Sequence, residues 1–594
     1  MNNVSETSES SVEKIVWNLD DLYAGPDDPS IEADMKWCRQ RAGELARHRG
    51  KVAGLSAREL LEAVRSLEEM HERAQKLMAF SYLYFATRTQ DSAASALFQA
   101  QKELYSELHR DTLFFELEWT KLEESRAQAL AADPVLSKYG HYLRSARRYA
   151  PYLLSEPEEK ILAEKEPAGA SAWSTLFDKM ISQVKFGDKQ RTETEVLAEL
   201  YHPEREARKN AALELTGGLE SVLPALVHIF NTILLDKAID DRLRGYPGWL
   251  SARNLSNEAD DRMVEALVAA VSSRYDVVER YYLLKRRLLG LDELHDYDRY
   301  APIPAQPHAQ FTWDEARDIV VTAYAAFSPR MAEIALEFFD RGWIHAPVLP
   351  GKRSGAFAHP VVPSAHPYVL LNFTGTHRDV MTLAHELGHG VHQYLARKQG
   401  LFNGETPLTT AESASVFGEM LVFRHILHVT ATREERLALL CSKIEDTIAT
   451  VFRQVSMNRF EDAVHNARRS RGELDPDFIA SAWMETQRAM FGDSVRLLDH
   501  YRIWWSYIPH FVHSPGYVYA YAFGELLVLA LYDLYKREGD GFVPKYLTLL
   551  EAGGSDKPDE LLRPLGIDLS DSQFWSRGIA MIEDLVAEAE TEAS

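Results

Sequence analysis

The chain has 594 residues, 46% apolar and 26% charged, the balance of a folded protein and not of a disordered or fibrous one. That length exceeds one ordinary hydrophobic core, so at least two subdomains are expected. The net charge of −23 repels phosphate backbones and sets nucleic acid aside as a partner.

Residues 1–9 are polar and acidic and lack the basic and apolar parts of a signal peptide. No uninterrupted apolar stretch approaches the roughly 20 residues that a membrane-spanning helix needs. Cys38 and Cys441 are the only cysteines, too far apart in sequence for a ligand cluster. They fit a reducing compartment, with a single bridge between them left open. The expectation is a cytoplasmic protein with no membrane partner. The sequence sets no oligomeric state.

In chain order, residues 57–130 are rich in Ala, Leu, Glu, Lys and Arg with apolar residues at helical spacing. Ser155-Glu156-Pro157-Glu158 predicts a helix start, with a capping Ser, an early Pro and Glu at the third helical position. Residues 204–240 and 258–290 continue the helical pattern, without short-period repeats. The texture changes near 291: 296–307 reads as a loop with Tyr and Pro, and 347–367 is rich in Pro, Gly, Ser and His. Residues 367–375 read as a short strand ended by Gly375, and helix dominates again to the end. A boundary near 200 separates an N-terminal helical region, 1–200, from a larger region, 201–594.

The chemistry concentrates at His385-Glu386-Leu387-Gly388-His389, an H-E-x-x-H pattern. On a helix, residues four apart share a face, so both imidazoles can point at one ion. Glu386 lies about 100° round and can reach a water without being a ligand. The local sequence predicts that helix. Thr376 and Asp379 form a capping box, and Val380, Leu383, Ala384, Leu387, Val391, Tyr394 and Leu395 form an apolar stripe. Gly400 is a stop.

Zinc takes His nitrogen and carboxylate oxygen, and a catalytic site keeps a position open for water. A third ligand is therefore needed. His392 lies about 10.5 Å along the helix from His385, converges poorly, and reads as a surface or supporting residue. Glu412 is the better candidate: Asn403-Gly404 and Pro407 are turn residues, and a helix beginning near Thr409 would return antiparallel with Glu412 in its first turn. The bland alternative has Glu412 merely completing a capping box with Thr409. Glu419, seven residues on, could accept a hydrogen bond from a ligand His or sit at a solvated surface. Glu386 would take the proton of water attacking a carbonyl and pass it to the leaving amine.

A second patch is His510-Phe-Val-His513-Ser-Pro-Gly516-Tyr517-Val-Tyr519-Ala-Tyr521. Its His and Tyr side chains are candidate donors to an oxyanion or a peptide carbonyl. The competing reading is an aromatic core segment. The predicted strand at 367–374 also offers an edge to which a peptide could add, through the main chain of Asn372.

At these residues a resemblance enters. Thr376-His-Arg-Asp-Val-Met-Thr-Leu-Ala-His385-Glu-Leu-Gly-His389 and Ala411-Glu412-Ser-Ala-Ser-Val-Phe-Gly-Glu419 resemble the thimet-oligopeptidase-like metallopeptidases and, more narrowly, oligoendopeptidase F. Trp17-Asn-Leu-Asp-Asp-Leu-Tyr23, Asp241-Arg-Leu-Arg-Gly-Tyr246, Arg253-Asn-Leu-Ser256, Gly351-Lys-Arg-Ser-Gly355 and Ile508-Pro-His510-Phe agree with that branch. The resemblance implies a mainly α, two-lobed fold with a deep central channel and a small β element beside the active-site helix. It implies one Zn2+ per chain on His385, His389 and Glu412, with Glu386 as base, and His510, Tyr517 and Tyr519 contacting short peptide substrates. Where that branch carries Tyr after His510-Phe and a bulky aromatic before Tyr517, this chain has Val512-His513 and Gly516.

The implied activity is zinc-dependent cleavage of internal bonds in short unstructured peptides. Two alternatives remain: a carboxydipeptidase, which needs a cation near the metal for the substrate's C-terminal carboxylate, and a helical peptide-binding protein without turnover.

Overall fold

The computed structural model describes residues 11–303 and 310–594. The acidic start, 1–9, and the end of the 296–307 stretch lie outside the described residues. Contacts gather the chain into two compact units, each assembled from three stretches. The first comprises Met1–Ala150, His308–Val429 and Leu534–Ile567; the second comprises Pro151–Pro307, Thr430–Asp533 and Asp568–Ser594.

Helices dominate both units, and their ends lie where local chemistry puts them. The 57–130 stretch becomes Ala57–Ala86, Ser92–Thr120 and Glu124–Ala131. Ser56 and Glu59 close a capping box on the first, and Asp91 caps the second. Ser155 and Glu158 close the predicted box on Glu156–Lys165, with the Ser155 N–H donating to Glu158 at 2.9 Å.

The second unit is built on Arg205–Arg244, a helix of 40 residues. Sequence inspection found no span-length apolar run, yet by length and composition this helix is apolar enough to cross a membrane. Half of its most apolar window is buried within the fold. It packs on Ala170–Gln183, Phe452–Arg471 and the 3-10 segment Asp499–Tyr507, and Trp504 donates to Thr216 at 3.0 Å. Cys38 and Cys441 are both free and buried.

The first unit holds the only sheet among the described residues: β1 (Ile344–His345), β2 (Phe357–His359) and β3 (Tyr368–Leu370), in the order β1-β3-β2. β3 pairs in parallel with β1 and antiparallel with β2, with Ala358 opposite Val369. Peptide addition to the expected 367–374 strand therefore fails over Tyr368–Leu370. β3 is the central strand and has no free edge, and beyond its end the Asn372 side chain donates from Nδ2 to the Arg353 and Gly355 carbonyls. The edge strands are β1 and β2, and β2 is the one beside the motif helix. Beyond β2, Val361 adopts φ +60°, a backbone region that is strained for a β-branched residue. Gln75 Nε2 donates to its carbonyl at 3.1 Å and His359 Nδ1 accepts its N–H at 3.0 Å.

Burial, first of all, lowers the His345 imidazole to about 3 and the His359 imidazole to about 4. An unfolded His titrates near 6.5, so the stability these neutral rings confer is complete above about 6.5 and is lost as pH falls through about 4. The denaturant midpoint is expected to fall between pH 7.5 and 4.5, and to fall less in His359→Gln. Equal losses in variant and native protein would remove His359 from the account.

Candidate functional site

The motif helix runs His377–Ala396, opened by the Thr376–Asp379 capping box. Leu383, Ala384, Leu387 and Val391 are completely buried, and each large apolar side chain contributes about 1.5–3 kcal/mol. This anchors the stripe and leaves His385 and His389 on another face. Tyr324, buried on Trp313–Phe327, donates to the Ala384 carbonyl at 2.6 Å and fixes the helix just before the motif.

Glu412 arrives by a route the sequence did not predict. Residues 401–404 form a short helix where turn residues were expected, and a second short helix, Leu408–Ala411, ends at Glu412. The return helix begins only at Ser415 and runs to Val429. Glu412 thus sits in a break between helices, not in a first turn, and makes no capping box with Thr409. Its carboxylate accepts from Ser415 Oγ instead. Tyr546 holds the break from behind, donating to the Ser413 carbonyl at 2.7 Å.

Gly388 makes the close approach possible. A Cβ there would lie 2.6 Å from Ser415 Cα and nearer still to the Ala414 carbonyl. The motif helix and the Glu412 segment therefore touch backbone to backbone.

His385 Nε2 and His389 Nε2 each lie 3.4 Å from Glu412 Oε2, and the rings are nearly perpendicular at 82°. All three ligand atoms fall within 4.8 Å of one another. Tetrahedral ligands at zinc distances are separated by about 3.3 Å, so this donor set fits such an ion. On the far side of the ring, Glu419 Oε2 lies 3.2 Å from His385 Nδ1. The Ala411 backbone lies beside both His389 and His392. Of the two readings for His392, surface or supporting residue, burial removes the first, and it lowers the ring to about 4.

Glu386 is 8% exposed, and Ala358 of β2 lines the same cavity as its carboxylate. Burial, reinforced by the Glu412 charge and opposed by His385, raises it to about 7. Burial also disfavours charge on His385, but the Glu419 hydrogen bond and the surrounding carboxylates outweigh it and raise that ring to about 9. Beside Glu386 and His389 opens a cavity of about 480 Å3, walled by Phe357, Val361, Val362 and Leu401 and continuing along the helix to Gly400.

The predicted donor patch lies in the second unit. His510 Nε2 is 3.2 Å from Tyr521 Oη, and the Tyr517 ring lies parallel to His510 at 6.2 Å and edge-on to Tyr521 at 5.1 Å. Tyr519 does not join them. It is completely buried, and its hydroxyl accepts from Asn257 at 2.9 Å, whereas Tyr521 is 39% exposed. The segment is helical from Tyr519 on, so residues 517 and 521 lie on one side and 519 on another. Helical periodicity would have found Tyr521. His513 pairs with Asp178 at 2.8 Å. Burial, then the Arg453 and His513 charges, push His510 below its ordinary range.

The Peptidase family M3 profile matches residues 198–581, about two thirds of the chain, and the Oligopeptidase F profile matches residues 118–186. The chain belongs to peptidase family M3. It is thus a metallopeptidase whose N-terminal part carries the oligopeptidase F segment. It is 27% identical over 601 residues to Oligopeptidase PepF of Bacillus subtilis, covering 99% of this chain and 88% of that one. It is 25% identical over 592 residues to Group B oligopeptidase PepB of Streptococcus agalactiae, covering 97% of both. A crystal structure from Chlamydophila abortus superposes with a TM-score of 0.89 at 25% identity over 99% of each chain. Oligoendopeptidase-F from Enterococcus faecium shares the fold, with a TM-score of 0.70 at 20% identity over 95% of this chain and 99% of that one.

Gly388→Ala places a methyl where backbone already sits. The variant is expected to lose about 1–3 kcal/mol of stability and to bind divalent metal about tenfold more weakly or worse, because the Glu412 segment must move. Chelator competition and thermal unfolding measure both. Native metal affinity in this variant would show that the crossing does not set the donor geometry.

Proposed function

We propose that this chain is a zinc-dependent endopeptidase that hydrolyses internal bonds of short unstructured peptides. The reading is carried by the two imidazole nitrogens at 3.4 Å from one carboxylate oxygen, beside a buried second carboxylate. The relatives named as oligopeptidases support it.

His385, His389 and Glu412 would hold one zinc ion per chain. Bound there, zinc supplies Lewis acidity, which polarises a carbonyl and makes water more acidic. Glu386 does the proton work: it accepts a proton from attacking water and returns it to the leaving amine. Glu419 engages His385 Nδ1, which leaves Nε2 for the metal. The outer edge of β2, next to Glu386, suits an extended main chain, and a segment that must pair as a strand has to be unstructured beforehand. His510, Tyr517 and Tyr521 donate to a substrate carbonyl or to the oxyanion. Region 201–594 carries the catalytic groups and 1–200 is the N-terminal helical region. The compartment is the cytoplasm and the partners are peptides.

The test uses a peptide of about ten residues, acetylated and amidated, incubated with zinc-loaded protein and followed by mass spectrometry. Internal cleavage is expected, with kcat reduced about 10²- to 10⁴-fold in Glu386→Gln at unchanged zinc content. Cleavage of free-ended peptides only, with release of C-terminal dipeptides, would replace the reading by a carboxydipeptidase. Binding of both peptide sets without turnover would replace it by a peptide-binding protein.

A further inference from the structure

The turn before Tyr517 is tied to the interior of its unit at one point. Gly516 adopts φ +77°, in the left-handed region that glycine enters freely. Its N–H donates to Glu461 Oε1 at 2.7 Å. Glu461 projects from the helix Phe452–Arg471, is 1% exposed, and its Oε2 has no hydrogen-bond partner among the described residues.

The surroundings leave the turn no other seat. A Cβ at 516 would lie 2.8 Å from Leu250 Cδ1 and 3.3 Å from the Trp249 ring. Trp249 is itself fixed: its Nε1 donates to Asp462 at 2.8 Å, and its ring stacks on buried His465 at 4.5 Å. The turn therefore lies flat on Trp249 and Leu250. Arg253 lies 5.7 Å from the Tyr517 ring.

A carboxyl buried against a single donor is a costly way to fill space, and an apolar side chain of similar size would ordinarily serve stability better. Burial pushes this carboxyl up to about 8, so near neutral pH one oxygen carries a proton while the other accepts from Gly516. Its one bond, to the Gly516 N–H, therefore points to a geometric task. Tyr517 is bonded directly to Gly516, and any shift of the 516 peptide swings the Tyr517 ring.

We propose that Glu461 is a positioning residue for the reaction, holding the Gly516 N–H so that Tyr517 is presented beside His510 and Tyr521. This rests on the reading that those three side chains contact substrate.

The test compares Glu461→Gln, which keeps an acceptor oxygen and the shape, with Glu461→Leu, which keeps approximate volume only, in the full-length zinc-loaded protein. In Glu461→Leu, hydrogen exchange across 514–518 is expected to quicken about tenfold or more. kcat/KM on a blocked peptide is expected to fall about 10- to 100-fold, mainly through kcat, with zinc content and melting temperature retained. Glu461→Gln should restore both readouts. The Leu substitution should also add little to Tyr517→Ala, since it acts through that ring. Unchanged exchange at the turn in Glu461→Leu, or equal impairment of the Gln and Leu variants, would overturn the proposal. Native kinetics in Tyr517→Ala would instead overturn the substrate role of the aromatic cluster, while the exchange result still decides whether Glu461 holds the turn.

Discussion

The candidate metal site depends on one close approach, that of the motif helix at Gly388 to the backbone of Ala414 and Ser415. Two histidines on a helix face are within reach of any short helical sequence. A carboxylate from a separate segment at 3.4 Å from both is not. Glutamate has a short reach, so its backbone must come nearly into contact with the helix that carries the histidines. Only a residue without a Cβ leaves room at the crossing point. The buried stripe, the Tyr324 bond to Ala384 and the Tyr546 bond to Ser413 hold the two segments in that contact.

Charge makes the same arrangement incomplete by itself. Glu386, Glu412 and Glu419 all act on His385 within one site, and burial makes the charged form of Glu386 costly. One proton on His385 offsets only part of that negative field. A divalent cation among the two Nε2 atoms and Glu412 would offset more of it and would favour ionised Glu386. Glu419, behind His385, strengthens that ring as a donor without crowding the ligand side.

Legibility in the sequence followed the range of the forces involved. The motif helix could be read in detail because its cap, stripe and ligands lie within one short stretch. The family motif gave Glu412, but not the break that carries it. Four-residue helices at 401–404 and 408–411 are held by tertiary contact, and short helices have little stability of their own. The position of β3 was hidden for a related reason. A run of apolar residues shows that a strand is buried, but β2 and β1 lie at other places in the chain, so the run cannot show which strand is the edge. Spacing alone left His392 as either a surface or a supporting residue, because the Ala411 backbone beside it belongs to another segment.

The tyrosines show how a period can mislead when the backbone state is unknown. Tyr517, Tyr519 and Tyr521 alternate, and alternation suits a strand whose faces differ. On the helix that forms, the same spacing splits them, sending Tyr519 into the core against Asn257 and leaving Tyr521 near His510. Gly516 carries the compensating signal: a glycine just before an aromatic helix start marks a backbone that must lie against something. Here that surface is Trp249 and Leu250, as at Gly388 it is Ala414 and Ser415. In both units a missing side chain lets backbone meet its neighbour, and a polar group that local sequence could not place is positioned by that contact.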